Sequence, residues 1–224
     1  WRRQVLPRLQ ARSGAVILSR TLKTWGLSEG RVDELLSPFL SGSDPTLGIY
    51  ARADGIHLRI TAKEASRSAA AARVARREAE IREILGGSIW GTDEDTLEGV
   101  VGGILGQKGL FLACSETLTV GRLAQTLAGD PASCRHFRGG IMLPSGAEGS
   151  AGHALELASA ARRQFSADIG IAIDGSGEGG QVFIAVDGGG RQKAIETGYP
   201  GGPQQVTQRA ITHALIFLRN FLQG

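Results

Sequence analysis

The chain has 224 residues, a formal net charge of +3 and a pI near 9.2, with 42% hydrophobic and 21% charged residues. That balance fits a soluble globular protein, no apolar run approaches the roughly 20 residues that cross a bilayer, and the basic excess falls short of a dedicated nucleic-acid binder. Cys114 and Cys134 lack C-x-x-C spacing, and His57, His136, His153 and His213 lack H-x-x-x-H spacing, so neither a disulfide scaffold, a metal site nor a cofactor is expected and the location is read as a reducing cytoplasm. The first residue is Trp1 with no basic-then-apolar leader behind it, which reads as a piece of a longer chain.

Residues 15–23 are rich in β-branched side chains and predict a strand, after which Ser28 caps a helix through Leu36 that Pro38 and Gly42-Ser-Asp-Pro45 end. Thr46 to Arg52 and Ile56 to Ala62 predict a hairpin joined at Asp54-Gly55. Ser66 to Leu85 has Val74, Ile81 and Leu85 at helical spacing with Gly86-Gly87 as its stop, and Ser88 to Trp90 predicts a short closing strand. This order predicts a small α+β domain over residues 1–91, its helices on one face of an antiparallel sheet.

From Thr92 helix and strand alternate. Helices are predicted over 95–107, 119–127, 150–165 and 204–222, and strands over 110–115, 140–143, 168–174, 181–186 and 192–198. The second domain, 92–224, is therefore predicted as an α/β layer with a mixed sheet.

Two segments carry the chemistry: Cys114-Ser-Glu-Thr-Leu-Thr-Val-Gly-Arg-Leu-Ala124, then Pro131-Ala-Ser-Cys-Arg-His-Phe-Arg-Gly-Gly-Ile141. They resemble the nicotinamide-nucleotide amidase domain at the C-terminal end of CinA, the competence/damage-inducible protein, whose members read A-E-S-C-T-G-G, P-G-S-S, F-x-G-G and Y-S-N-x-x-K. In the first domain, Ile17-Leu-Ser-Arg-Thr21, Asp44-Pro-Thr46 and His57-Leu-Arg-Ile-Thr-Ala-Lys63 resemble the KH-type linker domain of the same family, in the same order.

The resemblance implies a cytoplasmic homodimer in pyridine-nucleotide salvage, acting on nicotinamide mononucleotide or a related nucleotide, with a pyrophosphatase-like domain ahead of this chain. It also implies site residues. Glu116, Thr119, Gly121, Gly139 and Gly140 match and are expected to bind ligand, as are Ser145 and Gly175, while Thr117, Ser133 and Cys134 stand at hydroxyl positions as candidate nucleophiles. Several letters differ. Val120 replaces a glycine where a backbone approaches phosphate, and Pro144, Gly146 and Gly149 stand at the family's tyrosine, asparagine and lysine. Losing a general base forfeits about 10²–10⁴-fold in rate, and Glu148 and Lys193 are the substitutes in the sequence.

Gly175-Ser-Gly-Glu-Gly-Gly180 satisfies G-x-G-x-x-G in letters only, because it falls between two strands; a ligand loop and a plain glycine hairpin both remain open, and Asp174 beside it would repel phosphate. Arg73, Arg76 and Arg77 raise single-stranded RNA binding by the KH-like domain, against which stands a solvated helix face paired with Glu78, Glu80 and Glu83. The expected function is thus an amidase domain with a degenerate site that serves as a structural or dimerising module. A working nicotinamide mononucleotide deamidase and RNA binding are the alternatives.

Overall fold

The structure is a computed structural model that describes residues 15–42, 44–144, 149–175 and 181–224. It divides between Glu94 and Asp95 into two compact units. The division falls later than residue 91 because Asp93 belongs to the first unit's sheet: its N–H donates to the Thr21 carbonyl at 2.9 Å, and its carboxylate takes Arg20 at 2.7 Å.

The first unit comprises β1 (Val16–Thr24), α1 (Glu29–Leu40), β2 (Thr46–Arg52), β3 (Gly55–Glu64), α2 (Arg67–Leu85) and β4 (Ile89–Thr92), with sheet order β2-β3-β1-β4 and all pairs antiparallel. Strict alternation along β3 turns Ile56, Leu58, Ile60 and Ala62 inward, where they meet Val32 and Leu36 of α1 and Val74, Ile81 and Leu85 of α2. Ser28 and Ser66 cap the two helices by accepting the N–H groups of Arg31 and Ala69.

Two local expectations shift. The helix α1 continues through Pro38 to Leu40, because the Glu34 carbonyl that the proline cannot bond accepts the Ser37 hydroxyl instead, at 3.0 Å. The hairpin turn is Ala53-Asp54 rather than Asp54-Gly55, since Gly55 pairs with Arg52.

The second unit comprises α3 (Leu97–Lys108), β5 (Leu112–Glu116), α4 (Arg122–Gly129), β6 (Phe137–Met142), α5 (Ala151–Gln164), β7 (Ile169–Gly175), β8 (Gln181–Asp187), β9 (Gln192–Gly198) and α6 (Pro203–Gln223). The sheet order is β6-β5-β7-β8-β9, with β6, β5 and β7 parallel and β8 and β9 antiparallel, a mixed sheet as expected. Strand β7 is buried throughout, which is why Ile169 to Gly175 reads as an unbroken apolar run up to Asp174. Helix α5 lays Ala154, Leu157 and Ala158 on Ala172, Phe183 and Ala185, while α6 packs on β7 and β8 and against α3. The carboxyl ends of β5, β6 and β7 lie together, the usual place for a ligand in such a layer.

Candidate functional site

Glu116 ends β5 and Thr117 follows it, and the two, adjacent in sequence, serve different surroundings. Glu116 is fully buried and closes the start of α4. Its carboxylate accepts the N–H of Leu123 at 3.0 Å and of Ala124 at 2.8 Å, the Thr119 hydroxyl, and the Cys114 thiol at 3.7 Å. Burial, then the charge of Glu116 and its hydrogen bond, push the Cys114 thiol far above its ordinary range, which makes it a packing group.

Thr117 faces α5. Its hydroxyl donates to Asp174 Oδ1 at 2.8 Å and accepts the Gly175 N–H at 3.1 Å. Asp174 is 2% exposed, and its second oxygen meets His153 Nδ1 at 2.9 Å and the Ser150 N–H at 3.4 Å. The first turn of α5, capped by Ser150, therefore holds an internal carboxylate. In a nucleophilic triad the imidazole stands between hydroxyl and carboxylate and takes the proton; here the carboxylate stands between, so His153 is kept from the Thr117 hydroxyl.

Beside this cluster lies an open groove of about 380 Å³, lined by Thr117, Leu118, Val120, Met142, Leu143, Pro144, Pro203 and Thr207. Val120 has a left-handed backbone, φ 48°, a region that favours glycine, and Gly121 follows at φ 84°. The valine side chain stands 74% exposed at the groove. No cation lines the groove among the described residues. Residues 145–148 and 176–180, whose structure is not described, contain no lysine, arginine or tyrosine in the sequence.

The remaining candidates do not assemble here. Ser133 and Cys134 precede β6, whose first residue Phe137 pairs with Leu112, so both lie at the amino end of β5, a strand's length from Thr117. Ser133 donates to the Leu127 carbonyl at 2.6 Å and Cys134 bonds the Pro131 carbonyl at 3.6 Å, both closing the turn after α4. Of the three candidate nucleophiles, Thr117 alone lines the groove, and this placement sets Ser133 and Cys134 apart from it. His136 is not turned to the thiol: its ring packs on Phe111, centroids 5.8 Å apart, and beside Gly106.

Gly139 and Gly140 are closely packed: a Cβ there would meet the Phe165 ring at 2.5 Å and Cys114 Sγ at 2.7 Å. Gly121 caps α4, Thr119 serves Glu116, and Gly175 serves Thr117. Ser145 and Glu148 lie outside the described residues.

Neither lysine of the second unit reaches the groove end. Lys193 pairs with Val186, which pairs with Ile171, below the level of Asp174, and Lys108 ends α3 just before β5 begins. Sequence reading missed His153; its signal is the Ser150-Ala-Gly-His153 start of α5, where the Ser150 hydroxyl accepts the His153 N–H at 3.1 Å.

In the first unit Arg73 pairs with Asp44 and Glu64, while Arg76 and Arg77 share Glu80 and Arg77 lies 4.5 Å over the Phe39 ring. These charges are answered within the unit. Among the described residues no cluster of three His, Cys, Asp or Glu side chains is placed to hold a metal, and no helix is long and apolar enough to cross a membrane.

Residues 19–91 match the damage-inducible protein CinA KH domain, and residues 142–222 match the CinA C-terminal domain. Thr117 falls between the two matched ranges. A CinA-like protein from Gloeobacter violaceus is 34% identical over 88% of this chain, and one from Deinococcus radiodurans is 33% identical over 96%. The chain spans 53% and 56% of those two relatives. The crystal structure of a CinA superfamily protein from Klebsiella pneumoniae superposes with a TM-score of 0.53 at 24% identity, covering 57% of this chain and 96% of that one. A competence or damage-inducible protein from Enterobacter asburiae gives 0.51 at 23% identity, over 57% of this chain. The chain carries a CinA KH domain followed by a CinA C-terminal domain and belongs to the CinA family.

Proposed function

We propose that the second unit is an amidase-type CinA domain without amidase chemistry, kept as a structural and dimerising module. The observation that carries this reading is the Thr117–Asp174–His153 arrangement. The hydroxyl nearest the groove is already bonded to a buried carboxylate, and no lysine stands at that end of the sheet to take its proton. An amide hydrolase needs an activated nucleophile, a proton carrier and an oxyanion site together. The apolar groove beside Thr117 also suits a phosphorylated nucleotide poorly.

The exposed run of Val120, Met142 and Leu143, 74%, 63% and 39% accessible, favours assembly with a second copy. Incubating the purified chain with nicotinamide mononucleotide and following ammonia tests the loss of chemistry, and no turnover is expected. Turnover that disappears in Thr117→Val or Asp174→Asn would restore the deamidase. Light scattering is expected to give twice the 23.5 kDa chain mass, falling to one chain in Met142→Lys; a wild-type monomer refutes the dimer.

A further inference from the structure

A second cleft opens at the other end of the same unit. It holds about 420 Å³, within the ordinary range of small-molecule sites, and lies at the amino ends of β5 and β7, away from Thr117. Its floor is apolar: Ile169, Phe221 and Leu222, each about 5% exposed or less. Three cations from separate elements stand around that floor, Lys108 at the end of α3, Arg162 in the last turn of α5, and Arg191 in the turn before β9.

Their charges are unequally answered. Arg162 Nε donates to the buried Asp187 at 2.8 Å, a carboxylate also bonded by the Gly189 N–H at 2.9 Å. Lys108 and Arg191 form no ion pair among the described residues. The one other acid of the cleft, Asp168, accepts the Phe111 N–H at 2.8 Å with one oxygen. Arg191 is held in place without being neutralised: its guanidinium lies 3.9 Å over the Phe221 ring and donates to the Phe221 carbonyl, which leaves its other N–H groups free to bond an anion. A fixed guanidinium and a lysine over an apolar floor are complementary to a molecule with an anionic group on a flat hydrophobic body.

The geometry points to a binding site here for a small aromatic phosphate or carboxylate, its anion between Lys108 and Arg191 and its ring against Ile169 and Leu222. This site is independent of the Thr117 groove, so it stands or falls apart from the amidase question.

Phenyl phosphate, inorganic phosphate and phenol serve as probes, titrated into the ¹⁵N-labelled chain at low salt. Phenyl phosphate is expected to shift the amides of Lys108, Ile169, Gly188 and Arg191 saturably, with inorganic phosphate weaker and phenol weaker still. Lys108→Ala is expected to lower phenyl phosphate affinity about tenfold or more, the scale of one charged hydrogen bond. Lys108→Arg and Arg135→Gln, the latter outside the cleft, are expected to retain it. Absence of localised shifts, a phenol response equal to that of phenyl phosphate, or wild-type affinity in a folded Lys108→Ala chain overturns the site.

Discussion

Replacing Glu116 by glutamine tests whether this residue is a ligand contact or the internal cap of α4. The side chains are nearly the same size, and the carboxylate is fully buried, so packing is unchanged and only hydrogen bonding is altered. Leu123 N–H bonds one oxygen at 3.0 Å and Ala124 N–H the other at 2.8 Å. Glutamine has one oxygen, so whichever way its amide turns, one of these backbone donors faces an NH₂ group. Losing a charge-assisted bond and leaving that N–H buried costs about 2–4 kcal/mol, reduced by the easier burial of a neutral side chain.

At roughly 3 °C per kcal/mol for a unit of this size, the thermal midpoint followed by circular dichroism is expected to fall about 6–12 °C. The Leu123 and Ala124 amides should also exchange faster with solvent than their neighbours in α4. Trp25 and Trp90 lie in the first unit and the second unit has no tryptophan, so tryptophan fluorescence follows the first unit separately. A midpoint within about 1 °C of the wild type would refute the capping role.

Val120 sits at φ 48° with 74% of its surface exposed, so Val120→Gly removes left-handed strain of about 1–2 kcal/mol and loses almost no packing. Glycine's added freedom in the unfolded chain offsets about half of that, and calorimetry is expected to show a midpoint raised by about 1–3 °C, with a lower midpoint counting against the strain. His213 is half-buried beside Tyr199, its Nδ1 2.6 Å from the hydroxyl, and burial holds its pKa below the ordinary 6.5. The unfolded chain therefore binds this proton first, stability is full above pH 6.5, and it falls on acidification by at most about 1.4 kcal/mol per pH unit. His213→Gln should flatten the midpoint between pH 7.5 and 5.5; an unchanged slope rejects the assignment. Ellman's reagent should modify Cys134 quickly and Cys114 only after unfolding, so fast labelling that survives Cys134→Ser contradicts the burial of Cys114.

Element identities were readable because each rests on local pattern. Strand β3 and the Ser28 cap lie where the sequence places them, and Ser66 and Ser150, read as the first residues of helices, cap those helices. Boundaries drifted where a distant group intervened: α4 starts at Arg122 rather than Thr119, because Val120 and Gly121 are left-handed and Glu116 closes the turn from behind. How the candidate residues gather in space was less legible, for a different reason. Motif letters and their order along a chain do not say which end of a sheet a motif occupies, and Thr117, Ser133 and Cys134 are candidates through the hydroxyl positions of the resembled motifs. Topology would have separated them. In a strand–helix–strand unit with parallel strands, the helix returns the chain to the starting end, and eight residues of α4 travel about 12 Å, most of the length of β5.

The same topology bears on the proposed loss of amidase chemistry at the groove end. Helices α4 and α5 both begin at the carboxyl end of the sheet, and helix starts gathered there are where such layers ordinarily receive an anion. In this chain those two starts already hold a carboxylate each, while α6 begins at the groove without a side-chain cap. Glu116 takes the N–H groups at the head of α4, and Asp174 takes Ser150 N–H and His153 at the head of α5. An incoming phosphate would meet two buried, hydrogen-bonded anions there, and no lysine stands at that end to offset the repulsion. At the opposite end the charges reverse: Lys108 and Arg191 form no ion pair among the described residues, above an apolar floor. The unit therefore carries its attraction for anions at the end where no helix begins, which separates ligand capture from the hydroxyl that would have to react.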